Sequence, residues 1–270
     1  MAEGVTQMSF AEMLRLRDRG EDRFSALGPG SPWGWLYGGE LVAQGIRAAA
    51  ATVAPDRPPS AMYCSFVRPG ADGVELELEV ERVKDGGAFS TRRVVASQAG
   101  KVIGTLAATF HIAESADDVA LTVAPSVPAP EGFESERWSS IFERRYLPSD
   151  DRSRVLSWCR LNERLPEDPA LPACALVYLS DDLFDGPPAG LLGEPHWKPE
   201  EFSHPDRRVY GQSLDLCVWL HRPIRYDDWL LLEFRCTTMS NACASVTAEV
   251  FDRAGAHLAS ISQQLLFRRR

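Results

Sequence analysis

The chain has 270 residues, 44% of them hydrophobic and 25% charged, with a net charge of −9. That length and balance suit a globular protein with a sizeable core, in one large domain or two of ordinary size. The acidic balance excludes a general nucleic-acid or anionic-membrane surface, since both need a basic face.

Met1 to Phe10 lacks the basic-then-apolar order of a signal peptide, and no 18-residue apolar run exists to span a membrane. Ser9 to Arg19 reads as a helix, with Phe10, Met13 and Leu14 on one face and Ser9 at its cap. Gly28-Pro29-Gly30-Ser31-Pro32 breaks the chain. Residues 39–53, with Leu41, Val42, Ile46 and a run of alanines, form a predicted helix that stops before Pro55 and can sit close against a sheet. Val74 to Glu81 alternates apolar and acidic residues, the period of a strand with one dry face. Ala88–Gln98 and Val102–His111 read as strands around a hairpin at Ala99-Gly100-Lys101.

Residues 113–134 form the expected linker, with Pro125, Pro128 and Pro130 among small and acidic residues. Residues 135–180 read as a connection into Ala175-Leu176-Val177-Tyr178-Leu179, and a short helix is expected after Asp181, reshaped by Gly186-Pro187-Pro188. Strands are expected over Ser213–Leu220, Trp229–Cys236, Ala244–Phe251 and His257–Phe267, with Arg268-Arg269-Arg270 as a solvated tail. One helix followed by several antiparallel strands makes an α+β unit, and the unit occurs twice. Arg68-Pro69 and Arg222-Pro223 stand 154 residues apart (222 − 68), and the hairpin glycines Gly100 and Gly255 stand 155 apart (255 − 100). Such an offset points to a duplication, with units at residues 1–112 and 135–270.

Six scattered cysteines without a Cys-x-x-Cys pair fit reduced thiols in a cytoplasm. The five histidines (His111, His196, His204, His221, His257) lack ligand spacing, so no metal is expected. No Gly-x-Ser-x-Gly elbow supports a serine-nucleophile hydrolase, and no Gly-x-Gly-x-x-Gly follows a strand to support a dinucleotide enzyme.

Six motifs in register carry a family resemblance. They are Tyr37-Gly38-Gly39-Glu40, Phe66-Val67-Arg68-Pro69-Gly70 and Asp85-Gly86-Gly87 through Val94 in the first half. In the second they are Tyr178-Leu179-Ser180-Asp181, Trp219-Leu220-His221-Arg222-Pro223 and Ala259-Ser260-Ile261-Ser262-Gln263-Gln264. Together they resemble the acyl-CoA thioesterase II (TesB-like) family over residues 20 to 268. The resemblance implies a double hotdog: two antiparallel sheets, each wrapped round a central helix and joined edge to edge. It also implies hydrolysis of a fatty acyl-CoA to free acid and CoA without a cofactor. A homo-oligomer, dimer or tetramer, is expected separately, because an antiparallel sheet leaves exposed surface to cover.

By the same resemblance, Asp181, Ser213 and Gln263 stand where the family holds and activates the attacking water. A carboxylate can take a proton from water, whereas a hydroxyl and an amide orient it. Strand alternation sends only one of Gln263 and Gln264 inward. Gly38 and Gly39 are expected to approach substrate, and Arg68 and Arg222 either to bind CoA phosphates or to serve the turn after each Arg-Pro pair. Asp181 also reads as an N-cap, and Asp182 as a carboxylate able to raise its pKa.

The chain departs from the family pattern at Leu216, at Ser240–Ala248 and at Gly186-Pro187-Pro188, which leaves substrate length open. The competing readings are a weakly active acyl-binding protein and, less favoured because no Asp/His pair is in register, a hotdog hydratase or dehydratase.

Overall fold

A computed structural model describes residues 8–136, 138–194 and 206–270 of the chain; His196 and His204 lie outside them. The first half supplies α1 (Phe10–Met13), β1 (Arg17–Gly20), β2 (Arg23–Ala26), α2 (Gly38–Ala50), β3 (Pro59–Phe66), β4 (Leu76–Asp85), β5 (Phe89–Gln98) and β6 (Lys101–His111). The second supplies β7 (Phe142–Leu147), β8 (Arg154–Leu161), α3 (Leu171–Ser180), α4 (Gly186–Leu191), β9 (Val209–Ser213), β10 (Asp215–Leu220), β11 (Leu230–Ser240), β12 (Cys243–Phe251) and β13 (His257–Arg269).

All strands join one antiparallel sheet in the order β1-β2-β4-β5-β6-β3-β10-β13-β12-β11-β8-β7, with β9 also paired to β13. Read inward from each edge, the six strands of one half match the six of the other. Thus β4 and β11 occupy equivalent places, as the repeat offset requires. The halves meet at β3 and β10, where Asp215 opposes Ser65 and Trp219 opposes Ala61. This is the double hotdog that the motifs imply.

The sheet wraps two helices that lie antiparallel. Tyr37, before α2, donates its hydroxyl to the Tyr178 carbonyl near the end of α3, while Arg47 near the end of α2 reaches Asp168 before α3 at 2.7 Å. Helix α2 packs closely because its small residues permit it. A methyl on Gly45 would fall 2.8 Å from Leu106 on β6, and Gly104 on β6 leaves room for Leu41. Helix α2 ends at Ala50, three residues before the expected end, where Thr52 Oγ1 donates to the Ala49 carbonyl and tightens the turn.

Several expectations are corrected. The helix expected over Ser9–Arg19 covers only Phe10–Met13; Ser9 and Glu12 form its capping box, and residues 17–20 leave to pair with β2. The second central helix, α3, lies before Asp181 instead of after it. Almost all of α3 is buried, so it has no amphipathic stripe to betray it. Gly186-Pro187-Pro188 starts the separate helix α4, with proline in its first turn where no backbone donor is missed.

The segment read as a connection contains β7 and β8. Strand β8 lacks alternation because both of its faces are covered. On the outer face, its Leu156 and Trp158 join Leu231 of β11 and Phe251 of β12 in a second cluster on which Val127 and Phe133 pack. Trp158 Nε1 donates to the Pro128 carbonyl at 3.0 Å, so the proline-rich segment lies back over the sheet.

Candidate active site

Asp181 follows the last residue of α3 and opens a 3₁₀ turn (Asp181–Leu183). It therefore does not cap the start of its own helix. The antiparallel helices place it against the start of α2. A methyl on Gly38 would fall 2.6 Å from Asp181 Oδ2, so glycine there is what lets the carboxyl approach the helix N-terminus. A methyl on Gly39 would fall 2.9 Å from the Val177 carbonyl, so this glycine lets the two helices touch.

Gln263 points inward from β13 and is almost wholly buried, while Gln264 faces out. Gln263 Nε2 donates to Asp181 Oδ1 at 2.9 Å, and its own Oε1 has no partner. Ser213 arrives differently from the expectation of one strand over Ser213–Leu220. The chain jogs at Leu214, whose N–H donates to the Gln264 carbonyl and whose carbonyl accepts from Phe66 N. Strands β9 and β10 therefore lie end to end along β13, and Ser213 closes β9 beside the carboxyl. The structure thus brings Asp181, Ser213 and Gln263 together.

Burial pushes the Asp181 carboxyl up from its ordinary 3.8 to about 7, and the charge of Asp182 adds to the rise. The Gln263 amide, the Gly39 backbone N–H and the Ser213 hydroxyl oppose it by favouring the charged form. Asp182 itself turns away. It accepts from the buried Arg144 guanidinium at 2.6 and 2.8 Å and from Trp138 Nε1 at 2.7 Å. Its carboxylate is thereby a fixed structural charge beside Asp181.

Asp181 and Ser213 line a cavity of about 270 Å³ together with Gly38, Arg68, Leu41 and Phe66. Its walls also hold residues the sequence reading missed, among them Trp33, Trp35, Tyr37 and Tyr210. The Trp-Gly-Trp run and the tyrosine of the adjoining Tyr-Gly-Gly motif were local signs of the first three; Tyr210 had none.

The arginine expectation is half corrected. Arg68 lines the cavity and donates to the Val102 carbonyl at 2.7 Å. Arg222 is not among the cavity's lining residues. It ion-pairs with Asp118 and donates to the His257 carbonyl, the counterpart of Val102 at the hairpin offset of 155 (257 − 102), so its place is structural.

Fold and site together define a hotdog protein with a buried carboxyl, an amide and a hydroxyl gathered at the wall of one cleft. Two family models match this chain. One, described as the acyl-CoA thioesterase N-terminal domain, matches residues 28–111; the other, the acyl-CoA thioesterase C-terminal domain, matches residues 116–267. The chain belongs to the acyl-CoA thioesterase family.

Human acyl-coenzyme A thioesterase 8 is 28% identical over 254 residues, covering 82% of this chain and 76% of the human protein. Acyl-CoA thioesterase 2 of Haemophilus influenzae is 24% identical over 259 residues, covering 86% of this chain and 87% of that protein. The crystal structure of the acyl-CoA thioesterase II TesB2 from Mycobacterium marinum superposes with a TM-score of 0.82 at 28% identity, covering 96% of this chain and 98% of that one.

Proposed function

We propose that this thioester hydrolase cleaves acyl-CoA by direct attack of water, with Asp181 as general base. The observation that carries the reading is the Asp181 carboxyl, buried in the cavity wall and bonded to Gln263. Gln263 and Ser213 hold the carboxyl and orient the water, since neither an amide nor a hydroxyl is a base near neutral pH. The unpartnered Gln263 Oε1 is an acceptor for a water proton. Backbone N–H groups in the first turn of α2 offer positive ends to the developing oxyanion. The apolar part of the wall, with Leu36, Leu41, Phe66 and Leu265, accepts the acyl chain.

Among the described residues no group of His, Cys, Asp or Glu is arranged to hold a metal, and the proposed chemistry needs only water. No described helix is long and apolar enough to cross a membrane. The six cysteines are free, which supports work in a reducing cytoplasm. Exposed Tyr63 and Trp219 on adjoining strands at the sheet centre support association of further copies through that face.

The test is a steady-state assay of thiol release across acyl-CoA chain lengths. Asp181→Asn keeps the shape and removes the base, so kcat should fall ~10²–10⁴-fold with little change in KM. Ser213→Ala and Gln263→Ala should each lose less. A fully active Asp181→Asn enzyme refutes the assignment, and an acyl group trapped on a protein side chain refutes direct water attack.

A further inference from the structure

The last residue of the Tyr37-Gly38-Gly39-Glu40 motif has no part in the group around Asp181. Glu40 lies in the first turn of α2 and is 3% exposed. Among the described residues no ion pair uses it, and its one hydrogen-bond partner is Gln44, whose Nε2 stands 3.3 Å from Glu40 Oε1. Gln44 Nε2 also donates to the Met13 carbonyl at 3.2 Å, while Oε1 of the same fully buried amide has no partner. A carboxylate offers Gln44 Oε1 nothing, whereas a carboxylic acid has an O–H to donate.

The surroundings favour that acid. An isolated carboxylate is costly to bury. Burial first, and then the charge of Asp72, raises the Glu40 carboxyl from 4.5 to about 8, against the Gln44 amide, which favours the charged form. The other titratable group in its field is Tyr178 of α3, whose hydroxyl carries no charge in this range.

Residues 28–35 lie on this carboxyl. A methyl on Gly28 would overlap it, so glycine is what lets the backbone rest there. Beyond Gly28, the Ser31 N–H donates to Asp72 Oδ2 at 3.3 Å, Ser31 Oγ donates to the Trp35 carbonyl at 2.6 Å, and Trp35 pairs with Ala71. Trp33 packs edge-on against Tyr37, with ring centres 5.8 Å apart, and against Trp138 at 4.9 Å. Trp33, Trp35 and Leu36 then line the cavity that holds Asp181. Two carboxyls, Glu40 and Asp72, thus touch the segment just before it becomes the aromatic wall.

We propose that Glu40 is a positioning residue: its uncharged carboxyl seats residues 28–35 on α2 and so latches the Trp33–Trp35 wall in place for the acyl thioester. Ionisation puts an unpaired charge under the segment and opposes it to Asp72, and the wall is released. This rests on the thioester-hydrolase reading. The experiment therefore reads the wall apart from turnover, by tryptophan emission of the full chain between pH 6 and pH 9.5. It then follows kcat and KM for one acyl-CoA over the same range.

The emission of the unmodified chain should shift with a midpoint at about pH 8, and kcat/KM should fall about 10-fold per pH unit above it, mainly through KM. Glu40→Gln, which keeps the shape and cannot ionise, should lose the emission shift and the alkaline fall. Gly28→Ala, whose methyl displaces the carboxyl, should show at pH 7 the emission and the raised KM of the unmodified chain at pH 9. Identical profiles with and without Glu40→Gln overturn the latch. So does a Gly28→Ala chain that matches the unmodified one at pH 7, which decides the matter should Glu40→Gln fail to fold. If Glu40→Gln abolishes the emission shift but not the alkaline fall, the segment is latched without serving the site, and the positioning role falls. If no thioester is cleaved while the emission shift still depends on Glu40, the hydrolase reading falls and the latch stands.

Discussion

As the proposed general base, Asp181 combines two demands that oppose each other. A base must be ionised to work, yet burial at the helix junction favours the neutral acid and carries its pKa to about 7. The rate of thioester hydrolysis should therefore rise through pH 7 as the carboxylate forms, and a pH profile of kcat/KM reads it directly. The raised pKa also has a stability cost with a definite sign. The folded pKa lies above the unfolded one, so between about pH 4 and pH 7 the folded chain binds more protons, and stability is lost as pH rises through that window. A rise from 3.8 to about 7 corresponds to a loss of up to ~4 kcal/mol above pH 7. Asp181→Asn should thus raise Tm at pH 8 and change it little at pH 4, even as activity is lost. Thermal denaturation at the two pH values checks this.

Asp182 shows why an adjacent acid is not a second base. Its partner Arg144 is fully buried, and each guards the other's charge. Removing one partner of such a pair leaves an uncompensated charge, typically at a cost of ~3–5 kcal/mol. Arg144→Met should therefore destabilise strongly, and the double variant Arg144→Met/Asp182→Asn should recover part of the loss. Chemical denaturation of the three proteins gives the coupling.

Between elements, the site depends on how closely α2 approaches the end of α3. Gly38 is the contact point, because any side chain there meets the Asp181 carboxyl. Gly38→Ala should displace the carboxyl by a fraction of an ångström. Misplacement of a catalytic group by about 1 Å costs as much as 10²-fold, so kcat should fall by at least ~10-fold while the fold persists. Gly39→Ala instead drives a methyl into the Val177 backbone and should cost about 1–3 kcal/mol of stability. Activity and melting measured side by side separate these outcomes: the first variant stays folded and slow, and the second melts early.

At the scale of the molecule, each half supplies part of one site. The start of α2 comes from the first half; Asp181, Ser213 and Gln263 come from the second. Pairing of β3 with β10 and packing of α2 on α3 join the halves without help from the chain between them. That chain exposes Val119, Leu121 and Val123 before it returns to cover β8. Proteolysis near Leu121 should therefore leave two fragments that co-elute as one species on size exclusion and retain most of the activity. Fragments that separate would show that the covalent linker holds the site together.

The repeat offset, the alternation of Val74–Glu81 and the two-residue turn at Ala99-Gly100 are local signals. From them the sequence by itself determined the duplicated α+β architecture, and six motifs in register determined the family. Alternation along β13 also required one glutamine inward and one outward. Other features left no local trace. Strand β8 and helix α3 are covered all round, so they carry no polar face and no period. The family motif had named Gln263, and the tertiary structure supplies the physical reason it faces in: the register of β13 against β9 and β12 sets the pleat. The tertiary structure alone turned Asp182 to Arg144 and Asp181 to Gly38, since two successive carboxylates look alike until their surroundings differ. It likewise separated Arg68 from Arg222: the two occupy equivalent turns, but only the first-half turn borders the cavity that Asp181 enters.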